Sequence, residues 1–160
     1  MGRNEQAGPW RALGEVPLFA GCTTPELKAV DRLCCGLSVR AGRVVAREGA
    51  AGDELFVILD GQVGVSIMGS PVATLGEGEV FGEMALLGDG MRLSTVTTRT
   101  DTDVLVFSRR EFASLLHGSL GRRVGPRLRE LAATRRAELE TFLARQVSMA
   151  HASPPATWAR

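Results

Sequence analysis

The chain has 160 residues, 44% of them hydrophobic and 23% charged, which excludes the disordered and fibrous classes and suits one domain burying about 70% of its unfolded surface. No apolar run approaches the ~20 residues needed to span a bilayer, and the MGRNEQ start has neither a signal-peptide core nor a myristoylation pattern, so the expected location is the cytoplasm. Net charge is +1, but residues 1–108 carry −5 and residues 109–160 carry +6, an arginine excess read as a solvated helix face rather than a nucleic-acid surface.

Residues 1–15 are polar and glycine-containing and are expected to be a flexible lead. Residues 16–40 are predicted to be helical: Thr23 or Thr24 can cap, Pro25 suits a first turn, and Leu27, Val30, Leu33 and Cys34 share a face. Cys22, Cys34 and Cys35 lack metal-ligand spacing and are read as buried thiols. Adjacent cysteines on a helix point apart, so a Cys34–Cys35 redox pair is not expected. Over residues 41–108 short β-rich runs separated by glycines predict a double-stranded β-helix, a jelly-roll-like β-roll. Asp60-Gly61 is the strongest hairpin signal, and Val63, Val65 and Ile67 should alternate inward. The chain turns helical again over residues 109–147, where Leu128, Leu131, Ala132, Leu139, Phe142 and Leu143 form an apolar stripe and Arg136 and Glu140 are placed to pair. Residues 148–160, SMAHASPPATWAR, are expected to be a disordered tail. The fold class is therefore mainly β with flanking helices, including N-terminal helices and a long C-terminal one.

Within the roll, GEVFGEMALLGDGMRLSTV at residues 78–96 places one acid, Glu83, and one base, Arg92, in an apolar stretch. A charge beside a core is solvated, paired or awaiting a ligand. Gly82 allows close backbone approach at the start of a short helix, and Arg92 offers a forked donor suited to phosphate. Glu83 would repel phosphate but accepts hydrogen bonds from sugar hydroxyls. Together they describe a nucleotide whose phosphate and sugar are held close. The competing reading is that Glu83 and Arg92 form salt bridges with each other or with outer loops in an empty pocket.

This segment resembles the phosphate-binding cassette of cyclic nucleotide-binding domains, and the likeness extends over roughly residues 15–145 through VPLFAGCTTPELKAV, REGAAGDELFVILDGQVGV and REFASLL. The resemblance implies that Gly82 and Glu83 receive the ribose 2′-hydroxyl, that Arg92 pairs with the cyclic phosphate, and that Phe81, Met84 and Ala85 belong to the same cassette. Gly49, Gly52, Asp53 and Gly61 match scaffold positions shaping the β turns. Leu93 departs from the small or hydroxylated residue common after the arginine; Ser94 could partly substitute. The absence of threonine at position 93 favours cAMP over cGMP as ligand, with no other cofactor and no metal.

The C-terminal helix could be a lid over the base, with Leu131, Thr134 and Arg135 as its contacts, or could pack permanently on the roll or on a second copy as a homodimer. The expected protein is a non-enzymatic sensor that signals to a separate effector protein through that helix. The alternative is a ligand-free interaction or scaffold module. Related regulators often add a winged helix-turn-helix, for which the Pro-containing stretch after Val147 is too short, so direct DNA binding is not expected. A cupin-type enzyme would need histidines in the strands, and His117 and His151 lie outside them.

Overall fold

A computed structural model describes residues 10–152 of the chain. Helix α1 (Trp10–Gly14), a 3-10 turn (Pro17–Phe19) and helix α2 (Thr24–Arg32) lead into eight strands. Thr23 caps α2 by accepting from the Glu26 amide at 3.3 Å. The strands are β1 (Cys35–Val39), β2 (Val44–Ala46), β3 (Glu54–Asp60), β4 (Val63–Ile67), β5 (Ser70–Leu75), β6 (Val80–Phe81), β7 (Thr95–Thr98) and β8 (Thr102–Ser108). They form two antiparallel four-stranded sheets, in the orders β1-β8-β3-β6 and β2-β7-β4-β5. The single-turn helix α3 (Glu83–Leu87) interrupts the strands between β6 and β7, and α4 (Arg109–His117) and α5 (Gly121–Ala152) follow them.

Alternation along β3 explains the layering, because successive side chains point to opposite faces. Phe56 and Ile58 turn inward to meet Val63, Phe81, Val96 and Val104 between the sheets. Leu55 and Val57 turn outward to a second cluster with Leu13, Phe19, Val30, Phe107, Val124 and Leu128, which seats the helices on the roll. Ser108 and Glu111 form a reciprocal capping box that starts α4 directly at the end of β8. No helix among the described residues is long and apolar enough to cross a membrane.

Several expectations are corrected at the level of elements. The first nine residues of the expected lead lie outside the described residues, but Trp10–Gly14 is helical and Leu13 is 0% exposed. The helical reading of residues 16–40 ends early: Cys35–Val39 is strand β1, whose backbone pairs with β8, from Cys35 opposite Val106 to Val39 opposite Thr102. Cys34 and Cys35 therefore straddle a helix–strand junction, with Cys34 half-buried and Cys35 exposed rather than buried. Asp60-Gly61 does not close a hairpin, since β3 and β4 belong to different sheets. Gly61, at φ 94°, turns the chain from one sheet to the other, and an added Cβ would lie 2.5 Å from the Asp101 carbonyl oxygen. The tight hairpin is β4–β5, closed where Ile67 faces Ser70. Within the expected tail, residues 148–152 continue α5, and residues 153–160 lie outside the described residues. Among the described residues no ion pair joins Arg136 to Glu140.

Candidate functional site

Strand β6 runs straight into the site. Phe81 stacks on Phe56 at 4.7 Å between ring centroids, and this pair floors the position where the chain leaves the sheet. Gly82 then takes φ 95°, a left-handed conformation that glycine adopts without steric cost, and caps α3. Its turn directs Glu83 inward, to 2% exposure.

Arg92 approaches from the other side. Its main chain is laddered to the segment before β3, with Arg92 N donating to Ala50 O at 2.9 Å and Gly49 N donating to Arg92 O at 2.8 Å. Arg92 is 8% exposed, and its guanidinium donates through Nη2 to the Glu54 carbonyl at 3.1 Å and has its carbon 5.7 Å from the Phe56 ring centroid, a cation–π contact. Burial pushes its pKa below the ordinary value, while the carboxylates of Glu54, Asp53 and Glu83 pull the other way. It stays a cation at any working pH.

Glu83 and Arg92 do not bridge each other. Glu83 Oε1 instead pairs with Arg135 Nη1 of α5 at 2.8 Å, and the same nitrogen donates to the Val80 carbonyl at 2.6 Å. Two buried atoms then have no partner among the described residues: the acceptor Glu83 Oε2 and the donor Arg92 Nη1. Each such orphan costs about 1–3 kcal/mol. They are of opposite polarity and belong to two residues that line the same cavity.

That cavity measures about 1020 Å³, at the upper end of the range for small-molecule sites. All eight residues expected to bind ligand line it, from Phe81 to Ala85 and from Arg92 to Ser94, together with Thr134 and Arg135. Leu131 does not; it packs against the helix-side core cluster, one turn away from the opening. Arg135, at the cavity wall, pairs with the Glu83 carboxylate. Residues not read from the sequence as ligand contacts complete the walls: Val65, Ile67 and Val72 from β4 and β5, and Glu138, Phe142 and Arg145 from α5. The signal for the α5 set was present, because 135, 138, 142 and 145 are spaced three and four apart and share one helix face. Phe142 was instead assigned to a continuous packing stripe.

The chain is a β-roll with helices at both ends, whose short inserted helix brings a carboxylate and a guanidinium to one cavity. The family model described as "Cyclic nucleotide-binding domain" matches residues 37–119, just over half the chain, and the protein belongs to that family. A cyclic nucleotide-gated potassium channel of Rhizobium etli is 38% identical over 96 residues, covering 60% of this chain and 27% of the channel. The cAMP-dependent protein kinase regulatory subunit of Yarrowia lipolytica is 35% identical over 106 residues, covering 65% of this chain and 28% of that protein. The chain thus spans little more than a quarter of the length of either. Among solved structures, the catabolite activator protein of Thermus thermophilus superposes with a TM-score of 0.70 at 27% identity, over 82% of this chain and 63% of that one.

Proposed function

We propose that the protein is a non-enzymatic cyclic nucleotide sensor, with cAMP preferred over cGMP, that signals to a separate effector protein through α5. The observation that carries this reading is the pair of orphaned buried atoms. A cyclic nucleotide presents an anionic phosphate and a 2′-hydroxyl a few ångströms apart; the first accepts from Arg92 Nη1 and the second donates to Glu83 Oε2. Arg135, holding the other carboxylate oxygen, orients Glu83 for that hydroxyl and ties the ligand's position to α5. Signalling follows if ligand favours one arrangement of the helix through contacts absent in the other. The cAMP preference rests on Leu93 standing where a threonine would favour cGMP.

The test is calorimetry and thermal melting with cAMP, cGMP and non-cyclic AMP. Ligand at 100 times its Kd should raise stability by about 2.7 kcal/mol, with AMP far less effective. Arg92→Ala should weaken cAMP binding by about 2–5 kcal/mol, the usual cost of truncating one partner of a buried charged contact. A loss below about threefold would remove Arg92 from the site.

One observation favours a second reading. Glu83 is already neutralised by Arg135, so a ligand-free interaction module would retain the same pair as a structural tie. That reading predicts no melting shift with any of the three nucleotides.

A further inference from the structure

We propose that Gly52 is a positioning residue for Arg92: its missing side chain is the space in which the guanidinium lies. Gly52 is buried in the segment before β3, and its φ is outside the left-handed region, so the backbone conformation there does not call for glycine. What calls for it is proximity. A Cβ at position 52 would overlap Nε of Arg92 and come within 2.5 Å of both Cδ and Cζ. The two main chains cannot separate to make room without breaking the Gly52 N to Gly90 O bond at 2.7 Å and the Arg92 N to Ala50 O bond at 2.9 Å. The flexible partner in the collision is the Arg92 side chain. On its other sides it is confined by the Phe56 ring, the Glu54 carbonyl and Gly82, where an added Cβ would lie 2.8 Å from Nη1. A methyl group at position 52 therefore displaces the guanidinium and moves Nη1 away from the cavity wall beside Gly82.

The ligand part of this inference rests on the proposed function; the steric part does not, and the experiment separates them. Four proteins are compared: the parent, Gly52→Ala, Arg92→Ala and the double variant. Gly42→Ala serves as control, since Gly42 has φ 81° and no heavy atom near its added Cβ, so it strains a turn without touching Arg92. Calorimetry with cAMP, at a temperature where circular dichroism shows all of them folded, should give at least a tenfold affinity loss for Gly52→Ala and less than twofold for Gly42→Ala. In the Arg92→Ala background, adding Gly52→Ala should change affinity by less than twofold, and the melting-temperature loss it causes in the parent should disappear. If Gly52→Ala lowers affinity or melting temperature equally in both backgrounds, the glycine serves the turn and the proposal fails. Should Gly52→Ala alone not fold, a folded double variant supports the proposal and an unfolded one overturns it. If the parent binds no cyclic nucleotide, the functional reading fails and the melting comparison alone decides the role of Gly52.

Discussion

Helix α5 meets the rest of the molecule in two different ways. Along its first turns Val124 and Leu128 are completely buried, and Arg123 and Arg127 reach the carbonyls of Gly21 and Ala20 at 2.6 Å each, joining the helix to the N-terminal turn. Beyond Leu131 it runs along the cavity, tied to the cassette by Arg135, and then exposes Leu143, Val147 and Met149 at 38%, 58% and 66%. The near half is held by buried area, which is non-directional and has no ready substitute. The far half is held by a polar contact to a residue that also lines the ligand cavity. The two halves are therefore held by different kinds of interaction, apolar burial in one and a charged contact in the other.

Substitutions that act on one half and spare the other test that contrast. The largest effect on stability should come from Leu128→Ala, which opens a cavity under the anchored half and should cost about 2–5 kcal/mol in urea unfolding. A loss below 1 kcal/mol would mean that the anchor lies elsewhere. Arg135→Ala comes next: it leaves the Glu83 carboxylate buried without its cation, a change that costs about 3–5 kcal/mol in a fully buried pair and less here because Arg135 is 20% exposed. It should also weaken cAMP binding, whereas Leu128→Ala should leave affinity unchanged in the folded protein. Equal effects of the two variants on affinity would erase the distinction between the halves.

Val147→Asp should shift stability by no more than about 0.5 kcal/mol, as expected for an exposed position. If light scattering detects a dimer that this substitution disrupts, the far half is an interface between copies rather than a free arm. The effect confined to alkaline pH belongs to Cys34, which packs against the same cluster as Leu128. Burial, reinforced by the charges of Asp31 and Cys35, pushes its thiol from 9.0 up to about 12. A raised folded-state value means that its contribution to stability is complete below pH 9 and is lost as pH rises toward 12. The melting temperature of the parent should therefore fall more steeply over that window than that of Cys34→Ala. At pH 8 an alkylating reagent should modify exposed Cys35 well before Cys34; equal rates would show that the anchored side opens readily.

Much of the architecture follows from local rules that act within a few residues. Thr23 before Pro25 specified a helix start, β-branched runs between glycines specified strands, and Gly82-Glu83 followed by Arg92 marked the acid and the base that the fold brings to one cavity. These are consequences of backbone preference and side-chain chemistry, which a linear chain carries with it. Whether a strand's partner is its neighbour or a distant segment is not local. Asp60-Gly61 has the same turn chemistry whether it joins two strands of one sheet or passes between sheets, and CGLSV becomes β1 only because β8 lies beside it. The stripe on α5 was legible, but not the point where burial stops along it, since that depends on where the roll ends beneath the helix. Charge pairing was decided in the same way: Glu83 could have met Arg92, nine residues on, and meets Arg135 instead because the fold returns α5 over the cassette. Covalent order determined which groups were available, and three-dimensional proximity, set by burial of area from distant segments, determined which of them meet.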